Sequence, residues 1–281
     1  MNKYLSGIIF FTVSSWANTD IGFNYNIKDY SNSKTKTEGT SKDYLISRTF
    51  NKSNIFLNYE TSKVKRENKV LNQTIESLEV EKISLKYSYF VNQKSKLKFN
   101  FINIEENLAP TDNGKIYGIG LNHNIDRKHF VKLDQYLSNY DDFNVYQTDF
   151  LLGKKFKIND ISLIAKTGLK YINIDGNKYG NYTFTDTNYT SFLLGLTAKY
   201  ENNLFSATYM KGDRIFSVLG DGVRVQHHAM KQNDTYILSL VKKYKNLQFG
   251  LNYSYQIGTE LPEKQNDVKT KVTSFQVKYK F

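Results

Sequence analysis

Leu247-Gln248-Phe249-Gly250-Leu251-Asn252-Tyr253-Ser254-Tyr255-Gln256 alternates apolar and polar residues without a break. Successive side chains of extended backbone point to opposite faces, so this stretch reads as a strand with one greasy row and one row of Gln, Gly, Asn and Ser. The pattern recurs. Ile21, Phe23, Tyr25 and Ile27 oppose Gly22, Asn24, Asn26 and Lys28, while Tyr117, Ile119, Leu121 and Ile125 oppose Gly118, Gly120, Asn122 and Asn124, with His123 on the apolar row. Near the C-terminus Phe275, Val277, Tyr279 and Phe281 oppose Ser274, Gln276, Lys278 and Lys280. A dry protein interior would not accept such polar rows.

Extending the reading along the chain places fourteen strands, at about 20–30, 41–50, 54–62, 77–91, 95–105, 115–126, 128–138, 145–157, 160–173, 188–200, 203–214, 232–244, 246–257 and 270–281. Twelve and sixteen are the alternatives, because 41–50 lacks a clean alternation and 63–76 could extend its neighbouring strands. Connections alternate in length. Short ones fall at 51–53, 92–94, 127, 158–159, 201–203 and 245, and long ones near 31–40, 63–76, 106–114, 139–144, 174–187, 215–231 and 258–269. Pro110 and Pro262 both sit in long connections, where a missing backbone donor harms no ladder. Hydrocarbon satisfies no backbone group, so only helices or a sheet closed on itself can cross it. The fold class expected is therefore all-β, a transmembrane antiparallel up-and-down β-barrel.

Composition supports extended chain over helix, with Tyr 22 and Phe 19 beside Pro 2 and Met 3. No apolar run approaches the roughly 20 residues of a spanning helix. A soluble sandwich or solenoid would also alternate, but its apolar row faces a packed core and is rarely so aromatic. Here Tyr87 with Tyr89, Tyr253 with Tyr255, and Tyr279 with Phe281 recur toward strand ends, as interfacial girdles do. The absence of Cys excludes disulfides, thiolate metal sites, cysteine nucleophiles and an acylated N-terminal cysteine. A net charge of +12 points to an anionic partner.

Lys3, the short apolar stretch 4–13 and Ser15-Trp16-Ala17 predict a cleaved secretory signal over 1–17, leaving one barrel domain over 18–281. Export argues against nucleic acid as the anionic partner.

The ending Phe275, Val277, Tyr279-Lys280-Phe281 resembles that of Gram-negative outer-membrane β-barrel proteins of the porin type, and the likeness in architecture covers 18–281. A narrower likeness is to YaiO-type barrels, through Gly22-Phe23-Asn24-Tyr25, Asp29-Tyr30-Ser31 and Asn139-Tyr140-Asp141-Asp142, although the tryptophans of that group are missing here. The resemblance implies an integral protein of the outer membrane, in contact with lipid and lipopolysaccharide, whose terminal Phe281 is read by the barrel-assembly machinery. A monomer is the expected state.

Fourteen strands spaced about 4.8 Å and tilted about 40° enclose a backbone radius of roughly 14 Å, room for water inside the wall. The lining expected from alternation includes Lys28, Lys86, Lys98, Lys166, Lys170, Lys199 and Lys278 against Glu60, Asp134 and Asp149. Seven lysines against three acids predict a positive lumen that favours anions. The competing reading makes many of these lysines solvated strand-end charges or contacts to lipid phosphate. Lys154, Lys155, Lys157, Lys242, Lys243 and Lys245 adjoin short turns as rim charges, and Lys63, Lys65 and Arg66 lie on an outer loop able to meet lipopolysaccharide phosphates.

The leading function expected is a water-filled, porin-like channel for passive diffusion of small hydrophilic solutes. A second reading is a closed or narrow barrel with a structural, adhesive or lipopolysaccharide-interacting role, favoured by the bulky lumen residues Phe56, Phe90, Ile164 and Met210. A third, a lipid-modifying enzyme, would need Ser and His on the lipid-facing wall, and a surface protease would need His227 or His228 to meet Asp213, Asp221 or Asp234 at the outer rim. No catalytic residue, metal site or cofactor is assigned. The connection 211–233, with a turn at Leu219-Gly220-Asp221-Gly222, either projects above the membrane as a hairpin or folds into the mouth, with Arg214, Phe216 and Arg224 as gating candidates.

Overall fold

Fourteen of the alternating segments form long antiparallel strands, each bonded to its neighbours in sequence, and the first pairs with the last. A computed structural model describes residues 18–68, 71, 73–176, 178, 179, 182–261 and 264–281. The expected signal over 1–17 and Pro262 lie outside these residues. The strands are β1 (Thr19–Ser31), β2 (Lys36–Thr49), β3 (Ser53–Asn68), β4 (Gln73–Phe90), β5 (Ser95–Glu106), β6 (Lys115–Asn124), β7 (His129–Asn139), β8 (Asn144–Ile158), β9 (Ile161–Asp175), β10 (Lys178–Tyr179), β11 (Tyr182–Thr183), β12 (Asn188–Tyr200), β13 (Asn203–Arg214), β14 (Val218–Leu219), β15 (Arg224–Val225), β16 (Met230–Tyr244), β17 (Leu247–Glu260) and β18 (Gln265–Lys280). β10 with β11 and β14 with β15 form two small separate sheets that take no part in the barrel wall.

Closure sets Phe23 opposite Val277 and Asn24 opposite Gln276. Both rows therefore continue around the seam, greasy outside and polar inside, and no sheet edge is left to hydrocarbon. Short turns lie at one end with Asn18 and Phe281. Asn159, Glu201 and Lys245 there adopt φ of 50°, 49° and 51°, the left-handed backbone that lets a chain reverse in about two residues.

Alternation persists to the far end of the strands, but its chemistry inverts. On β4, Ile83, Leu85, Tyr87 and Tyr89 point outward and are exposed, while Lys82, Ser84 and Ser88 point inward and are buried. In the two pairs of positions just before them the same outward row reads Glu79 and Glu81, and the inward row Leu78 and Val80. β18 behaves alike, with Phe275, Val277 and Tyr279 outward beyond a water-facing stretch of Lys269 and Lys271, where Val268 is buried inside. The strands thus outrun the bilayer. Beyond it their outer side meets water and their inner side holds an apolar core that includes Ile102, Ile104, Ile116, Ile172 and Val145. Outward rings mark the boundary: Phe23 packs on Tyr44 at 5.4 Å, Tyr44 on Tyr59 at 6.3 Å and Tyr209 on Tyr236 at 4.8 Å.

This extension corrects several expected connections. The segment 63–76 is mostly strand, with 69–72 joining β3 to β4, and the connections expected at 31–40 and 258–269 shrink to 32–35 and 261–264. Lys63 and Lys65 stand on β3, not on a loop, paired with Glu79 at 2.6 Å and Glu38 at 2.5 Å. Arg66, on the same strand, donates to the Glu76 carbonyl oxygen at 3.3 Å. Connections of length remain at 107–114, 176–187 and 215–229.

One charge placed in the two zones should therefore cost differently. Leu238→Arg, in the lipid-facing row, is expected to lower folding stability in bilayers by about 2–4 kcal/mol. Thr40→Arg, outward on the extension of β2, should stay within about 0.5 kcal/mol. Urea titration of refolding into lipid vesicles measures both, and equal costs would contradict a bilayer that ends between the two positions.

Candidate pore constriction

The connection after β13 does not project above the membrane; it turns into the barrel. Its base is tied by Arg214, whose side chain is fully buried and donates to Gln232 Oε1 at 3.2 Å, to Thr235 Oγ1 and to the Gly212 carbonyl oxygen at 3.4 Å. Phe216 follows at φ 51°, unusual for a bulky residue, and swings the chain inward. Neighbouring rings hold it there. Phe143 lies 4.9 Å and Tyr140 6.0 Å from its centroid, and Phe184 packs on Phe143 at 5.3 Å. Loops 140–143, 176–187 and 215–229 thus share one aromatic core with the inward Ile and Val of the strand extensions.

Below that cap β14 and β15 form a hairpin whose tip, Gly220-Asp221-Gly222, has φ of 61°, 62° and 85°. The hairpin lies against one side of the wall. Gln147 exchanges two bonds with Val218, accepting from its N–H at 2.8 Å and donating to its carbonyl oxygen at 3.0 Å. Asn100 Nδ2 donates to the carbonyl oxygens of Asp221 and Gly222 at 3.2 and 3.1 Å, and Ser84 Oγ to that of Val223 at 3.0 Å. Contact at Gly222 is so close that a Cβ there would sit 2.4 Å from Asn100 Nδ2.

Charge completes the attachment. The Asp221 carboxylate meets Lys98 Nζ at 2.6 Å, Lys86 Nζ at 3.2 Å and Lys132 Nζ at 3.8 Å. Lys98, fully buried, also meets Asp134 at 2.7 Å, and Gly120 beside that pair leaves the room its side chains occupy. Burial would raise the Asp221 carboxyl, but Lys98, Lys132 and Lys86 outweigh it and hold the group well below the usual carboxylate range.

The expected lining residues all project inward, but not as free charges. Lys86 and Lys98 bind the hairpin, Lys170 is paired with Asp149 at 2.7 Å, Glu60 with Lys82 at 2.9 Å, and Lys28 donates to Ser62 Oγ at 2.8 Å. Lys166, Lys199 and Lys278 face inward toward the short-turn end, with no ion pair among the described residues. Lys82 and Lys132 were missed although they share alternation with Lys86 and Asp134; Asp43, also inward, lies on the strand whose alternation is unclear. Asp221 carried no such signal, because its place depends on a loop fold. Of the gating candidates, Arg214 and Phe216 anchor the loop, and Arg224 stands half exposed, 3.8 Å from Asp43.

Between the hairpin and the opposite wall lies a cavity of about 710 Å³. Lys28, Lys82, Lys132, Lys170 and Arg224 line it with Asp43, Glu60, Asp134, Asp149 and Asp221, so its formal charges balance, unlike the positive lumen expected. The far side is small and mostly neutral, with Thr208, Ser239, Asn252, Ser254 and Gln276.

His227 and His228 do not meet the aspartates near them in sequence. His227 Nδ1 lies 3.1 Å from Glu106 Oε2, and its carbonyl oxygen accepts from Thr111 Oγ1 at 3.0 Å. Asp213 instead pairs with Lys231 at 3.1 Å, and Asp234 accepts from Tyr209 at 2.7 Å. The two imidazoles lie 4.1 Å apart, tilted by 47°, and His228 also meets Tyr30 edge-on at 6.5 Å. Among the described residues no group of three His, Asp or Glu is placed to hold a metal.

Burial, followed by the charges of neighbouring groups including Lys28, Lys36 and Lys82, pushes both histidines well below the ordinary imidazole range. Burial also pushes the Glu106 carboxyl beside His227 up to about 7, so docking gains one proton there while it sheds those of two histidines, and below about pH 6 the docked loop binds fewer protons than the free loop. Docking should hold above that pH and be lost progressively as pH falls below it. A spin label on Leu219→Cys, in a chain with no native cysteine, should gain mobility between pH 7.5 and 5. Asp221→Asn, which leaves Lys98 with Asp134 as its one remaining ion-pair partner among the described residues and weakens the hold of Lys86 and Lys132 on the tip, should mobilise the same label at neutral pH. A label equally immobile in both cases would contradict this attachment.

No protein-family model and no curated protein matches the chain. Solved structures do. A CymD monoaromatic hydrocarbon channel superposes with TM-score 0.61 at 10% identity over 95% of this chain and 90% of that one. A bacterial polysaccharide outer membrane secretin gives 0.59 at 7% identity over 95% and 99%, and the Pseudomonas putida toluene transporter TodX gives 0.57 at 8% identity over 94% and 90%. At such identities the likeness is one of architecture, and the chain has the closed antiparallel fold of outer-membrane β-barrels.

Proposed function

We propose that the protein is an outer-membrane channel for passive diffusion of small hydrophilic solutes, with its bore set by the β14–β15 hairpin and with a preference for anions. The observation that carries this reading is the off-centre hairpin. It is bound to the wall on the β4–β8 side and leaves the cavity of about 710 Å³ beside it. The CymD and TodX structures are described as a monoaromatic hydrocarbon channel and a toluene transporter. Here an apolar solute would have to displace water from five cationic and five anionic side chains, which is unfavourable, so the solutes proposed are polar.

In this reading Lys28, Lys166, Lys170, Lys199, Lys278, Glu60, Asp134 and Asp149 line the path, and Lys86 and Lys98 hold the hairpin to the wall. Arg214 and Phe216 hold the constricting loop, and Arg224 lies beside the path. The preference for anions comes from the unpaired lysines at the short-turn end, since the middle is balanced. The mature chain would begin at Asn18 after export, with the short turns toward the periplasm. The aromatic cap favours one other reading, a barrel closed at its outer end with a structural role.

Planar-bilayer recording separates the two. The mature protein is expected to conduct with an anion-to-cation permeability ratio above one, and deletion of 215–225 should raise conductance several-fold. Current in neither form would establish the closed barrel, and a cation preference would remove the anion assignment.

A further inference from the structure

Beneath the hairpin, at the end that carries the short turns, lies a second cavity of about 350 Å³. Lys94, Lys96, Lys132, Lys155 and Lys166 line it, and no acidic residue does. Its ammonium groups are steadied by neutral partners. Lys96 Nζ lies 5.8 Å from the Phe90 ring centroid and Lys155 Nζ 5.5 Å from that of Phe130, and Lys155 also donates to Asn124 Oδ1 at 3.3 Å. Both rings and Asn124 belong to the same lining. The turn that presents Lys94 is itself braced, Asn92 Oδ1 accepting from the backbone N–H of Lys94 and of Ser95 at 2.8 Å each. π-faces and amide oxygens place a cation without cancelling its charge. Lys132, at 3.8 Å from Asp221, is the one lysine of this set within reach of a carboxylate among the described residues.

We propose that this cavity is a binding site for a compact multivalent anion that enters from the short-turn side. Five lysines line so small a volume, four of them without a carboxylate in reach among the described residues, and a monovalent ion meets few of them at once. An anion of three or more charges engages several, and lysine is suited to phosphoryl oxygens as a mobile point charge. The hairpin lies above, so the ligand approaches through the short-turn mouth. The proposal deepens the anion-preferring channel above, and the orientation toward the periplasm rests on that reading. The site itself does not.

The test uses the mature protein in detergent and in bilayers, with sodium tripolyphosphate as probe and citrate alongside to separate phosphoryl from carboxylate recognition. Calorimetry in about 0.15 M NaCl, where the Debye length is about 8 Å, should show one tripolyphosphate per barrel. The double substitution Lys96→Gln with Lys166→Gln should weaken it at least tenfold. Lys154→Gln with Lys242→Gln, at the same end but outside the cavity, should change it less than twofold. Tripolyphosphate should block current only from the short-turn side. Absence of binding, or equal loss in both double variants, would overturn the site even if the barrel conducts. Binding by a barrel that passes no current would sustain the site and remove the channel.

Discussion

Every backbone N–H and C=O that crosses hydrocarbon must find its partner inside the protein, and the β1–β18 pairing is what lets this chain meet that requirement all round. Once the sheet is closed, side-chain direction has period two everywhere and each residue is committed to the inside or the outside. What varies along the axis is the medium on the outside. Over one stretch it is lipid, and Leu85, Tyr87, Phe249 and Leu251 face it; over the next it is water, and Glu79, Glu81, Lys269 and Lys271 do. The inner row answers in reverse, from Ser84 and Lys82 to Val80 and Leu78 on a single strand.

The inversion also explains the loops. An apolar inner wall above the bilayer would be exposed in an empty tube, so it is covered by residues carried in from the connections, with Ile215, Phe216 and Val218 fully or almost fully buried. That core holds the root of the hairpin, and its tip is then fixed by directional bonds lower down, where the wall is polar. The apolar part supplies attraction with little preference for position. Asn100, Gln147 and the lysines around Asp221 supply the position. One-sided attachment follows from one-sided placement of those partners, and a cavity of about 710 Å³ is left beside the hairpin.

Much of the barrel was legible because alternation survives any change of medium. The rows of Ile21 to Ile27 and of Phe275 to Phe281 place themselves, and the strand number follows from the recurrence of such rows along the chain. The extensions were harder, since Glu79 with Val80 or Lys63 with Val64 reverses the expected chemistry while keeping the direction, and a search for greasy outward rows stops there. Inward lysines were mostly found by alternation, yet their partners were not, because Asp221 reaches Lys86 and Lys98 from 135 and 123 residues away through a loop whose path depends on three others. Charge counted from sequence therefore missed the acids that balance the lysines at mid-lumen and did not single out the five lysines of the second cavity, whose lining holds no acid.

The outward residues of a single strand pass from lipid to water. Nitroxide labels placed singly at 79, 81, 83, 85 and 87 on β4, in bilayers, report this through collision with oxygen, which concentrates in lipid, and with a water-soluble nickel chelate. The structure predicts oxygen access at 83, 85 and 87 and nickel access at 79 and 81. Oxygen-rich, nickel-poor labels at 79 and 81, or nickel access at 85, would contradict it.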